Sequence, residues 1–483
     1  FGELARYLHY INISGEMNIR GEKPKMNTVK LQNTFIEPDD LLRYELLLYS
    51  AVFLNTLITV MNTSMFNVAI PDIIDFFKVN AQSASMIVSS YSIIFALSAI
   101  LYSKLSESIP IKWLLSIGIL LLCTGSIIGM TANSYLGLIL ARILQALGAS
   151  SISALSIIVT TRYIPFKRRG KRLGLVAAAV TLGFGIGPLM GGILTQFLGW
   201  RYLFSVSLLS LIGLPFYFLL LPFEKRKKEV FDYIGIFFFF AGIVLFLGTI
   251  TYSWLLSPLL IVIVFIFFRH ITRHKAPFLQ PTLLKDTSFL FITSVGFITF
   301  FCNFSILFLL PLTLVNSFKI ESSAIIGLTL FPGALTAVVI SILAGRAVDR
   351  IGAEWVAFMG TLLMLIAGVV ASIFGNSSIL FIMIIFSISS SGFVCITTSF
   401  PNILTKKLPK DQLSNGIGTL QLFQYMGGGI GVTISGKLVT HFDDGLPGHY
   451  QYVFVFITLS FIALVAVIIY CYHFKLFKRR LKP

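Results

Sequence analysis

Long apolar runs recur along nearly the whole chain, and few folds accept that pattern. A helix of about 20 residues crosses the hydrocarbon core of a bilayer, whereas a strand of a membrane barrel needs only about ten alternating residues. Read with a window of about 19 residues, the runs fall near 46–70, 84–104, 112–132, 135–159, 172–196, 201–222, 233–252, 254–270, 288–315, 322–346, 354–374, 378–400, 413–438 and 451–474. They are too long and too evenly apolar for strands, so the expected fold class is an all-α integral membrane protein with fourteen transmembrane helices. Composition agrees: 56% of the 483 residues are hydrophobic and 12% charged, far from the balance of a soluble domain.

A net charge of +17 would fit a nucleic-acid binder, but its placement excludes one. Lys167, Arg168, Arg169, Lys171 and Arg172 follow the fourth run, and Lys225, Arg226, Lys227 and Lys228 follow the sixth. Arg269, Arg273, Lys275 and Lys285 lie at and beyond the end of the eighth, Arg350, Lys406, Lys407 and Lys410 continue the series, and Lys475, Lys478, Arg479, Arg480 and Lys482 close it. With alternating spans all these segments share one side, while the opposite loops carry little beyond Lys78, Arg201, Lys319 and Lys437. The positive-inside rule therefore places both termini in the cytoplasm.

Cys123, Cys302, Cys395 and Cys471 stand singly in apolar runs and read as small buried hydrophobes. The six histidines read as loop or terminal residues without a carboxylate or cysteine partner, so no metal is expected. With no Walker-type loop, no nucleotide or other cofactor is expected either. Residues 1–45 read as a cytoplasmic N-terminal segment lacking the apolar core of a signal peptide; Met26 reads as a native start, which would leave 1–25 as a non-native leader.

Two short turns expected on the cytoplasmic side carry related text. Gly345-Arg346-Ala347-Val348-Asp349-Arg350-Ile351-Gly352 follows the tenth run, and Ser103-Lys104-Leu105-Ser106-Glu107-Ser108-Ile109-Pro110 follows the second. Each falls at the second turn of a six-helix set if runs seven and eight are set aside. The expected plan is an N-terminal six-helix bundle over 46–222, a two-helix insert with flanking loops over 223–287, a C-terminal six-helix bundle over 288–474 and a basic cytoplasmic tail over 475–483. Parallel repeats about an axis normal to the membrane are a transporter plan, with the substrate site between the halves near the midplane.

The chain resembles the major facilitator superfamily, specifically its fourteen-span drug:proton antiporter branch, which includes Gram-positive tetracycline and multidrug exporters. The likeness covers residues 45–474. Gly345 to Gly352 matches the family's loop motif, and the first copy departs from it at Ser103, Glu107 and Pro110. Arg142, Gln145 and Gly148 match the fourth-span motif, with Ala146 where a glycine is usual. Gly183-Phe184-Gly185-Ile186-Gly187-Pro188-Leu189-Met190-Gly191-Gly192 matches the antiporter motif of the fifth span, the most specific of these signals. Gly199 to Phe204 resembles the segment opening the sixth span, and Thr161 to Pro165 with Arg169-Gly170-Lys171 resembles the tetracycline exporters. The resemblance implies the major facilitator fold, no enzyme activity, a monomer, and a multi-pass protein in the plasma membrane of a Gram-positive bacterium.

Helical rise allows depths to be compared. At about 1.5 Å per residue, Arg142 lies about 10 Å inside the outer end of span four and Asn62 about 13 Å inside that of span one. Gln145 shares a face with Arg142, so Arg142, Gln145 and Asn62 are expected to form a polar cluster in the outer half of the N-terminal bundle. Asn62 stands where many multidrug relatives keep an Asp, and no carboxylate is central in any apolar run. Proton coupling is therefore assigned to Asp72 or Glu321, raised in pKa by partial desolvation, with Arg142 responding to that charge; the two acids capping helices or facing water is the other reading. Gly183, Gly187, Pro188, Gly191 and Gly192 are expected to permit close helix approach that seals one end. Gly345, Arg346, Asp349 and Arg350, with Glu107 in the first copy, are expected to form a cytoplasmic charge latch. Asn303, Phe304, Gln421, Gln424 and Tyr425 are the expected pocket residues, offering stacking faces with a few polar handles.

The function expected from these signals is proton-coupled export of amphipathic drugs, multidrug or tetracycline-like, by alternating access, with protons, drug and membrane lipid as partners. Monovalent-cation/proton exchange and lipid export on the same fold are alternatives, and a non-transporting sensor or scaffold is the remaining one. A scaffold has no need of a buried arginine or of matched loop motifs.

Overall fold

The computed structural model describes residues 44–480 apart from 223, 225–231, 252, 275–280 and 444–449. The readings made for residues 1–43, for Lys225 to Lys228 and Lys275, and for the side chains of the basic tail lie outside the described residues.

Helix α1 (Glu45–Val68) continues through Ala69 into the short α2 (Ile70–Phe77), where Pro71 sits in the first turn and needs no amide partner. Then come α3 (Ala81–Ser108), α4 (Ile111–Met130), α5 (Tyr135–Tyr163) and α6 (Phe166–Leu198). Residues Trp200–Leu220 form a run of short pieces: a 3-10 turn (Trp200–Tyr202), α7 (Leu203–Leu208), a second 3-10 turn (Leu209–Gly213) and α8 (Leu214–Leu220). A hairpin of α9 (Tyr233–Thr251) and α10 (Ser257–Arg273) follows, then α11 (Pro281–Lys285). Six long helices complete the chain: α12 (Thr287–Asn316), α13 (Ser323–Ile351), α14 (Ala353–Phe374), α15 (Ile379–Lys407), α16 (Lys410–Asp443) and α17 (Tyr450–Arg480). Side-chain oxygens of Asn80, Ser134, Asp286, Ser322 and Ser378 accept the first free amides of their helices and set where each begins.

Among the described residues, twelve helical segments are long and apolar enough to cross a bilayer, two fewer than the fourteen expected. The two runs that fall short do so for different reasons. In α9 the described apolar stretch covers Tyr233–Phe246. Helix α16 is diluted by Gly, Gln, Ser, Thr and Asn, yet it packs along both α3 and α12. A helix enclosed by protein does not have to be apolar all round, and its glycines let two neighbours approach: Gly427 and Gly431 face α12, Gly429 and Gly436 face α3.

The first six spans contact one another, as do α12 to α17, and the two sets meet along two seams. One seam is α6 against α13; the other is α3 against α16. The fifth helix of each set thus packs on the second of the other, the reciprocal pairing that a two-fold relationship requires. A second sign of the repeat lies in the connections entering α3 and α13. Lys78 and Lys319, each preceded by Phe, take up left-handed backbone at φ 53° and 56° two residues or three before the helix cap. That conformation costs a side-chain-bearing residue on the order of 1 kcal/mol, so its recurrence at matching places is a structural echo.

Both seams are tight at the end away from the basic loops and loosen toward the basic end. At the tight end Gln82 N donates to Thr440 Oγ1 at 3.1 Å, and a Cβ on Gly436 would lie 2.6 Å from Ser85 Cβ. On the other seam Ser323 Oγ donates to Asp72 Oδ2 at 2.8 Å and Ser322 Oγ to Gln196 Oε1 at 2.9 Å. A Cβ on Gly192 would lie 3.0 Å from Gly327 Cα. Midway, a Cβ on Gly185 would lie 3.3 Å from the Ala334 carbonyl oxygen, and Thr181 Oγ1 lies 3.4 Å from Ser341 Oγ. At the basic end Gly170, Gly174 and Gly345 have no neighbour within 4 Å of a would-be Cβ, and Gly418 meets Ile100 only at 4.0 Å. Among the described residues, the close contacts between the two sets lie at the end away from the basic loops.

Candidate functional site

Burying a guanidinium at membrane depth costs on the order of 3 kcal/mol on insertion scales, so the surroundings of Arg142 must supply compensation. Arg142 is 0% exposed on α5. Its Nη1 donates to Asn62 Oδ1 on α1 at 2.6 Å and to Gln145 Oε1 at 3.0 Å, and its Nε reaches the Ile87 carbonyl on α3 at 3.4 Å. The guanidinium lies between two aromatic faces, 4.0 Å from the Phe66 ring centre and 4.1 Å from that of Tyr91. Each such face supplies about 0.5–2 kcal/mol in a desolvated site. Gln145 Nε2 donates to Ser126 Oγ at 2.8 Å, and both Gln145 and Asn62 reach Ser207 Oγ. The cluster of Arg142, Gln145 and Asn62 thus ties α1, α3, α4, α5 and α7 together without a carboxylate. Nη2 of Arg142 has no hydrogen-bond partner among the described residues.

Tyr91 also begins an aromatic chain leading away from Arg142. It stacks on Phe95 at 6.1 Å, Phe95 meets Tyr425 of α16 at 4.9 Å, and Tyr425 meets Phe300 and Phe304 of α12 at 5.3 and 6.2 Å. Phe393 of α15 contacts Phe300 at 4.7 Å, and Phe184 of α6 contacts Phe393 at 5.6 Å and Phe304 at 6.2 Å. Both helix sets contribute. Phe184 and Tyr425 are half-buried while the others are buried. Of the expected pocket residues, Phe304 and Tyr425 belong to this cluster. Asn303 donates to Ser389 Oγ of α15 at 3.0 Å, Gln424 is buried against Gly296, and Gln421 is half-buried on α16. The sequence reading missed Phe184, although it sits between two glycines of the span-five motif, where the missing side chains leave room for one large ring.

The glycines of α6 serve two faces. Gly183, Gly187 and Gly191 recur every four residues and lie against Leu57 to Met65 of α1, while Gly185 and Gly192 turn to α13. Pro188 is buried, and its carbonyl faces Gly327 of α13. One helix therefore links its own set to the other at close range.

Asp72 is half-buried beyond the end of α1, and Ser323, in the first turn of α13, donates to it across the seam. Burial pushes its carboxyl above the usual carboxylate range, against the opposing pull of the Ser323 hydroxyl. Glu321 is exposed on the adjoining loop, so the desolvation expected of it is not there. At the basic end Arg346, Asp349 and Arg350 are exposed, and among the described residues no ion pair joins them. The expected latch is not formed in this conformation. Glu107 pairs within its own helix with Lys104 at 3.9 Å.

The expectation that no histidine meets a carboxylate does not hold. His270 Nε2 lies 2.6 Å from Asp232 Oδ1, two residues 38 positions apart that the α9–α10 hairpin brings together.

The model of the Major Facilitator Superfamily matches residues 52–277 and 292–481 of the chain. Riboflavin transporter RibZ of Clostridioides difficile is 27% identical over 311 residues, 63% of this chain and 67% of that protein. Multidrug resistance protein Stp of Mycobacterium tuberculosis is 26% identical over 420 residues, 82% of this chain and 76% of that protein. Among solved structures, a bacterial homologue of the human lysosomal transporter Spinster, in an inward-facing and unoccupied conformation, aligns with a TM-score of 0.66 at 14% identity, over 89% of this chain and 97% of that one. At that identity the likeness concerns the fold.

Proposed function

The chain belongs to the major facilitator superfamily, and we propose that it is a proton-coupled antiporter exporting amphipathic drugs across the plasma membrane. The observation that carries this reading is the buried Arg142, joined through Tyr91 to an aromatic cluster that both helix sets build. An apolar aromatic surface with few polar handles suits flat amphipathic molecules. The similarity to Stp supports drug export.

In this reading α9 and α16 join the twelve apolar segments as spans, and bundles 46–222 and 288–474 rock about the two seams. With the basic loops in the cytoplasm, the molecule is inward-open and sealed outside by Asp72, Ser323, Gly192 and Gly327. A proton taken up from outside by Asp72 favours the sealed, inward-open state; drug entering from the cytoplasmic side displaces that proton inward, and the deprotonated seam then opens to release the drug outside. Closure at the basic end would bring Arg346, Asp349 and Arg350 to the opposite set, completing the latch.

Similarity to RibZ, with the same aromatic cluster, favours a second reading in which the cargo is a planar metabolite. Titration of the purified protein in weakly buffered detergent tests the coupling. Adding ethidium, which does not titrate itself, should release protons in proportion to binding; saturable binding without proton release would overturn the antiport reading.

A further inference from the structure

The α9–α10 hairpin lies beside the α3–α16 seam, and its end nearest the basic loops gathers three side chains that the transport reading does not use. Asp232 precedes α9 and is 5% exposed; His270 is in the last turn of α10, and His274 is its C-cap. Positions four apart share one helix face, and the two imidazoles lie 5.2 Å apart between ring centres. Arg269 and Arg273 on the same turn are exposed, so the helix turns its cations outward and its imidazoles toward the carboxylate. One donor atom from each of Asp232, His270 and His274 falls within 4.8 Å of the others.

We propose that Asp232, His270 and His274 form a binding site for a divalent transition-metal ion of the zinc class. Two imidazole nitrogens and one carboxylate oxygen are the donor set such ions select, with a fourth position left for water. Metal–ligand bonds of about 2.0–2.1 Å place tetrahedral donors about 3.3 Å apart. The present set, within 4.8 Å, would close to that spacing by side-chain rotation. Binding would replace the hydrogen bond between Asp232 and His270. Asp232 Oδ1 also accepts Gly235 N at 2.8 Å, which fixes the carboxylate and orients it for the ion. A bound ion would staple the start of α9 to the end of α10.

The test uses the full-length protein carrying no polyhistidine tag, with Zn²⁺ as probe. Equilibrium dialysis should find one tightly held equivalent, and His274→Ala and His270→Gln should each weaken binding at least tenfold without changing the elution volume. Retention in both variants of the wild-type affinity, or no Zn²⁺ bound by the wild type, overturns the proposal. Should the variants misfold, the wild type still decides. Zn²⁺ should protect His270 and His274, and not His441, from carbethoxylation read by mass spectrometry; equal modification with and without metal overturns the site.

Discussion

Arg142 Nη1 meets Asn62 Oδ1 at 2.6 Å, a cation held by a neutral amide at the junction of α5 and α1. An ion pair at this place would fix the arginine's charge to one partner. An amide, a second amide at Gln145 and two ring faces hold it while leaving its field uncancelled. We therefore propose that Arg142 lies on the transport path, where both its charge and its shape matter.

Arg142→Lys keeps the charge but loses the planar fork that stacks between Phe66 and Tyr91 while reaching Asn62 and Gln145. Loss of one desolvated cation–π contact, about 1.4 kcal/mol, corresponds to about tenfold. Dye efflux from membrane vesicles should fall by at least about that factor with expression unchanged. Wild-type rates in the lysine variant would show that charge alone suffices.

Asp72→Asn fixes the neutral form of the carboxyl at the shut seam. Because burial raises the proton affinity of Asp72, protonation stabilises the shut state; that contribution is present at low pH and lost as pH rises through the raised pKa. With the seam open the group sits in water with a lower pKa, so loss of the proton favours opening and uptake of a proton from outside favours shutting. Efflux by the variant should lose its dependence on external pH and slow by about tenfold, the ordinary size of coupling between two states. A pH profile identical to wild type would remove Asp72 from the coupling.

Gly192→Val sets a branched side chain against the Ser323 carbonyl and Gly327 Cα. Overpacking costs about 1–3 kcal/mol, and here it falls on the shut state. A cysteine introduced by Ser85→Cys, buried at the other seam, should then react faster with a membrane-impermeant maleimide. Unchanged labelling would mean that the two seams do not open together.

Phe184→Ala removes a ring that touches both Phe304 and Phe393. Ring pairs are worth about 0.5–1.5 kcal/mol each, so the KM for flat aromatic dyes should rise up to about tenfold while pH dependence is kept. An equal loss for every cargo, with lowered thermal stability, would make Phe184 a packing residue.

The fold was legible where the chain meets lipid, because helices in hydrocarbon must be long and apolar. It was less legible where helix meets helix: α16 is enclosed on both sides and could afford glycine and glutamine. Depth arithmetic brought Arg142, Gln145 and Asn62 together, since two rises of a regular helix suffice for it. Phe184, Tyr91 and Phe95 were lost among 46 phenylalanines and 17 tyrosines, whose facing depends on tertiary contacts. The Phe77-Lys78 and Phe318-Lys319 echo was readable in the sequence and passed over. The Asp232–His270 contact was not readable, because a 38-residue hairpin returns the chain to it.

The central claim is that solute and proton move in opposite directions along a path through Arg142. Liposomes holding the purified protein, loaded with fluorescent dye and given an imposed pH gradient, test it when dye and internal pH are followed together. Dye movement should follow the gradient with a matching opposite proton flux, and both should be lost in Arg142→Ala. Dye movement that ignores the gradient, or that persists in Arg142→Ala, would contradict it.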